Sequence, residues 1–131
     1  MTKSVDPKKS RNYLTKSENS LRMAKIAVEQ NAYDSAVISA IHSAINALDA
    51  LTAIHKGKRA SGKHDDVLQL IKGILTPKEL DDITKQFSFL LDLKNAAEYQ
   101  PEMMSLKEAQ DSVRCAERIF GKVKANLQSE S

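Results

Sequence analysis

Residues 92–105 read DLKNAAEYQPEMMS, and this stretch gathers side chains that could do chemistry. Lys94, Asn95 and Glu98 stand at spacings that place them on one face of a helix, and Tyr99 follows directly. An ammonium, an amide and a carboxylate on one face can line a binding pocket. The same residues fit a structural account. There Lys94 snorkels from the bundle, Asn95 bonds neighbouring backbone, and Tyr99 buries its ring with the hydroxyl wet.

A second group is basic. Lys56, Lys58, Arg59, Lys63 and His64 follow one another with no acid until Asp65. They lead into the start of a helix, which favours anions. Contact with phosphate or RNA by Lys58, Arg59, Lys63 and His64 is one reading, and a solvated basic loop is the other. Arg59 and His64 also match an Arg-x4-His spacing, but Gly57 and Gly62 would not hold such a pair rigidly. His42, beside the small-residue stripe of a helix, reads as an interior or interface histidine. His55 suits the negative end of the same helix. No two histidines stand at the i,i+4 spacing of a helical zinc pair, and Cys115 has no nearby partner, so neither a metal site nor a cofactor is expected.

These side chains need elements to position them, and the periodicity supplies helices. Leu14, Ser17, Leu21, Ala24 and Val28 make one face of a helix between Pro7 and about Gln30. Tyr33 to Lys56 forms a second, with an inner stripe of Ala36, Ala40, Ser43, Ala44, Ala47 and Leu51, ended by Gly57. Such small residues let a neighbouring helix approach closely. A short third helix is predicted from His64 to Leu75. Thr76, Pro77 and Glu79 make a capping box for a fourth, which reaches Tyr99. Ser105 and Glu108 cap a fifth. Its Leu106, Ala109, Val113, Ala116, Phe120, Val123 and Leu127 form the most regular seam in the chain. No strand-like alternation competes. The fold class is therefore all-α, an antiparallel up-and-down bundle of four long helices with one short additional helix.

The totals agree. With 131 residues the chain fits one domain over 1–131, with residues 1–7 and 129–131 expected to fray. Scarce glycine (4) and proline (3) leave few turns, and a net charge of +3 permits nucleic-acid contact without arguing for it. One cysteine excludes an internal disulfide. Neither a secretory leader nor an uninterrupted apolar span is readable, so no membrane contact and a cytoplasmic location are expected.

Three pieces resemble, in order, the HEPN domain family of small all-helical proteins. They are YLTKSENSLRMAKIAVEQNAYDSAVI (13–38), SAIHSAINALDALTAIHKGKRASGKHDDVLQL (39–70) and DLKNAAEYQPEMMSLKEAQDSVRCAERIF (92–120). The resemblance implies a helical bundle that forms a homodimer. It also implies a partner of the small nucleotidyltransferase type, as in toxin–antitoxin systems. Many active members are metal-independent ribonucleases that use an Arg, a following polar residue, and a His four to six positions after the Arg. The resemblance places Lys94 where the Arg would stand, Asn95 at the polar position and Tyr99 near the His. Arginine holds phosphate with two parallel bonds, and histidine is a base near neutral pH. Lys94 keeps the charge without the fork, and a phenol with a pKa of about 10 is a poor base. The expected function is a non-catalytic interaction or nucleotide/RNA-binding module. A divergent metal-independent endoribonuclease and a structural adaptor without ligand are the alternatives.

Overall fold

The apolar stripes are realised as four long helices in a computed structural model that describes residues 1–62 and 66–129. These are α1 (Ser10–Glu29), α2 (Tyr33–Lys56), α4 (Pro77–Tyr99) and α5 (Leu106–Ser129), joined by a short α3 (Asp66–Leu70). The architecture is the all-α bundle that the periodicity predicts. α2 is its centre and packs against α1, α4 and α5. Ala36, Ala40, Ala44 and Ala47 of α2 are fully buried, so α1 lies close against it. At that crossing the Ser17 hydroxyl donates to the Ser43 carbonyl at 2.7 Å, and the Ser43 hydroxyl donates to the Ser17 carbonyl at 2.9 Å. α4 adds Ile83, Phe87 and Leu90 to the core, and α5 adds Ala109, Val113, Ala116, Ile119 and Val123. Leu106 stands outside this seam, 44% exposed.

Among the described residues α2 is the one helix long and apolar enough to suit a bilayer, and 67% of its most apolar window lies buried inside the bundle. Its hydropathy is therefore accounted for by the core.

Local chemistry sets the helix ends. Thr76 Oγ1 accepts from the Glu79 amide at 3.2 Å, and Glu79 accepts from the Thr76 amide at 3.0 Å. Ser105 and Glu108 repeat the exchange at 3.1 and 2.9 Å. Both capping boxes form as their residue types require. The α4–α5 link is tied to the start of α2, where Asp34 accepts from the Met104 amide at 2.8 Å.

Two sequence expectations need correction. Residues 2–4 are not frayed. β1 (Thr2–Ser4) pairs antiparallel with β2 (Lys58–Ala60), Lys3 opposite Arg59, and the Val5 amide donates to the Gly57 carbonyl at 2.8 Å. The cause is Gly57, whose left-handed backbone (φ 61°) ends α2 and sends the chain back extended along it. The expected basic loop thus begins as a strand. α3 also ends early, at Leu70 rather than Leu75, because the following turn runs through Gly73 at φ 86°. Ile71 and Leu75 stay buried without a helix.

Candidate functional site

The polar residues of 92–105 sit on the last two turns of α4. Lys94 Nζ donates to Glu98 Oε2 at 2.9 Å, with the side chains 25% and 17% exposed. That bond holds the Lys94 ammonium above its ordinary pKa and the Glu98 carboxyl below its own. Nζ also lies 5.8 Å from the Tyr99 ring centre. Tyr99 is 73% exposed, so its ring is not buried as the structural account required. Asn95 is exposed too, and its side chain forms no hydrogen bond among the described residues. Lys94, Glu98 and Tyr99 therefore stay together, the Tyr99 phenol also helping to lower the Glu98 carboxyl, while the Asn95 amide is left exposed.

Helix α2 brings His42 to this cluster. His42 is exposed, which corrects the interior reading, and it is the weakest of the influences that lower the Glu98 carboxyl. Adjacent helices thus set an imidazole near the lysine–glutamate pair. No pattern within either helix announces that juxtaposition.

The basic group does not join this cluster. Arg59 lies on β2 beside Asp49 of α2, with Ser61, Gly62, Val67 and Phe87 around a cavity of about 130 Å³. Phe87 and Lys94 are seven residues apart on α4, roughly 10 Å of helix rise, so the two groups stand at different levels of the bundle. Lys58 is exposed on β2, and Lys63 and His64 lie outside the described residues.

Asp49 is the charged side chain that the core buries among the described residues, at 7% exposure. Burial pushes its carboxyl up to about 6, and the Arg59 charge partly opposes this. Sequence reading passed over it. The signal available was a carboxylate set between Leu48 and Ala50 in the apolar C-terminal half of α2. The cavity is smaller than the 300 Å³ or so of a typical small-molecule site, so it suits water rather than a nucleotide. Arg59 and Asp49 line this cavity together, and the Arg59 charge acts on the buried carboxylate. His55 is structural, with Nε2 2.7 Å from Asn126 Oδ1 of α5. Among the described residues no three His, Cys, Asp or Glu side chains converge as metal ligands would.

The family model described as HEPN domain matches residues 10–126, nearly the whole bundle. The chain belongs to the HEPN domain family. Among solved structures this HEPN chain is similar to TT1696 from Thermus thermophilus, with a TM-score of 0.73 at 18% identity, over 90% of this chain and 98% of that one. At that identity the likeness is one of fold alone. No curated protein matches the chain.

Proposed function

We propose that this HEPN protein is a non-catalytic interaction module that works as a homodimer and binds nucleotide or RNA without cleaving it. The observation that carries the reading is the 2.9 Å bond from Lys94 to Glu98. The cation at the position where active members keep arginine is neutralised by its own helix, and exposed Tyr99 replaces the base. A lysine so engaged presents little charge to a phosphate, and a phenol does not take a hydroxyl proton at neutral pH. A nucleotidyltransferase-type partner, a toxin–antitoxin setting and a cytoplasmic location belong to the same proposal and rest on family membership.

The test is incubation of purified protein with RNA, with and without EDTA. Intact RNA in both, together with a melting temperature raised by RNA or nucleotide, supports the reading. Cleavage that survives EDTA overturns it. A melting temperature that no nucleotide or RNA moves leaves a plain adaptor. Sedimentation at tens of micromolar gives the oligomeric state, and a species near 14.5 kDa counts against the dimer.

One observation favours the ribonuclease alternative, namely that His42 of α2 acts electrostatically on the Glu98 carboxyl of α4. An imidazole from α2 would restore the missing base. In that case cleavage is lost in His42→Ala while the melting temperature holds.

A further inference from the structure

The charges of this bundle are segregated. Residues 1–16 carry five cations and one acid, residues 53–60 three cations and no acid, and residues 118–129 three cations and no acid. The fold brings these segments to one end, where α1 and β1 start and α2 and α5 finish. At the other end, residues 92–117 carry three cations against six acids. A net charge of +3 thus conceals a basic end and an acidic end.

Specific contacts gather the cations. The β1–β2 pair and the Val5–Gly57 bond fold the N-terminal segment onto the end of α2, setting Lys8 and Lys9 near Lys56 and Lys58. Arg11 and Lys124 line one groove of about 370 Å³ with apolar Leu14, Ile54 and Leu127. All six cations are exposed, and none forms an ion pair among the described residues. By contrast Lys122, two residues before Lys124, turns to Asp82 at 3.5 Å. The acid of the N-terminal segment, Asp6, accepts from the Lys8 amide at 3.0 Å and so caps the turn.

We propose that this end, built around Lys8, Lys9, Arg11, Lys56, Lys58 and Lys124, docks the phosphodiester backbone of a single-stranded nucleic acid. The inference rests on the binding half of the proposed function and gives it a surface remote from Lys94 and Tyr99. Exposed cations without carboxylate partners around a shallow groove suit a repeating anion, whose binding releases counterions. An acidic protein fits less well. Lysine is depleted in protein interfaces and aromatic anchors are enriched. Here five of the six cations are lysine and the exposed aromatic, Tyr99, lies elsewhere, while of the exposed apolar side chains Ile54 lines the groove and Met1 stands at the same end. With no aromatic in the groove lining, recognition goes to the backbone and not to base sequence.

The experiment titrates full-length protein with a labelled 20-nucleotide RNA, the same sequence as DNA, and poly-glutamate. About four phosphate contacts to a single strand give roughly a fifty-fold loss of affinity between 50 and 200 mM salt. Lys9→Glu with Lys58→Glu is expected to weaken RNA binding at least about tenfold and to lower the salt slope by about 1.4. Lys25→Glu with Arg114→Glu makes the same charge change at the other end and should alter affinity less than about twofold. Lys9→Gln with Lys58→Gln, checked by thermal melting, guards against a folding defect in the reversal. RNA and DNA binding alike, or RNA binding better, both support backbone docking. Binding by wild type that the Lys9/Lys58 variants leave intact overturns this assignment alone. Poly-glutamate binding as tightly as RNA overturns it in favour of an acidic protein. Failure of wild type to bind either nucleic acid overturns it together with the nucleic-acid half of the functional reading.

Discussion

Glu98 accepts a hydrogen bond from Lys94 at 2.9 Å one turn earlier on α4, and each side chain fixes the charge of the other. The lowered Glu98 carboxyl stabilises the fold above its unfolded pKa of about 4.3, and that contribution is lost as pH falls through the folded value. The raised Lys94 ammonium stabilises below about 10.4 and loses its contribution as pH rises through the folded value. Glu98→Gln should therefore cost less than about 1 kcal/mol at pH 7 and almost nothing at pH 3, since such partly exposed pairs are weak. Melting curves of the variant and wild type across pH 3–8 check this. The same variant frees Lys94 and should bind RNA more tightly at low salt. Unchanged RNA affinity would mean that Glu98 is not what silences this lysine.

Asp49 titrates with the opposite sign. Its carboxyl is raised by burial from an ordinary 3.8 to about 6, so the folded protein holds the proton more tightly than the unfolded chain. Stability from this group is greatest below about pH 4 and falls as pH rises towards 6, by something on the order of 3 kcal/mol. In Asp49→Asn this pH-dependent loss should vanish, so the variant gains on wild type between pH 4 and pH 7 in urea titrations. Arg59→Ala removes the opposing charge. It should raise the Asp49 pKa further and destabilise more at pH 8 than at pH 5. An Arg59→Ala penalty that ignores pH would sever the link between these residues.

The bundle was legible because its information is local. Stripes at helical spacing predicted all four long helices, and Thr76–Glu79 and Ser105–Glu108 announced their caps through neighbours three positions apart. What escaped is long-range. Three-residue strands carry no alternation, and the pairing of Lys3 with Arg59 depends on how Gly57 turns the chain. The action of Arg59 on Asp49, ten positions earlier on α2, is of the same long-range kind. His42 met Glu98 only through the packing of α2 on α4. Charge polarity was hidden for the same reason, since the basic segments are far apart in sequence.

The two serines between α1 and α2 form a reciprocal clamp. Each hydroxyl donates to the other residue's carbonyl, at 2.7 and 2.9 Å, and the hydroxyl oxygens are 3.2 Å apart. Both side chains are fully buried. Ser17→Ala or Ser43→Ala alone should cost about 1 kcal/mol, because each removes one hydroxyl-to-carbonyl bond in a dry site. The double variant should cost less than the sum, since the 3.2 Å contact between the two hydroxyl oxygens is lost in either single variant and so is counted twice in the sum. A double-mutant cycle by urea denaturation measures the difference. Strict additivity would show that the serines act separately.

The capping boxes make a last comparison, because they are chemically equal and positioned differently. Thr76 and Ser105 each accept from the amide of the glutamate three residues on, at 3.2 and 3.1 Å. Replacing either by alanine strands that amide and should cost about 1 kcal/mol, a fall of about 4 °C in melting temperature. Thr76 precedes Pro77, which holds the first turn of α4 at a helical φ, so α4 keeps part of its start in Thr76→Ala. Ser105 is followed by Leu106, which is 44% exposed and gives the first turn of α5 little burial to lean on. Ser105→Ala should therefore fray α5 more, with faster amide exchange at Lys107 and Glu108 than Thr76→Ala produces at Lys78 and Glu79. Equal exchange in the two variants would mean that proline adds nothing to the start of α4.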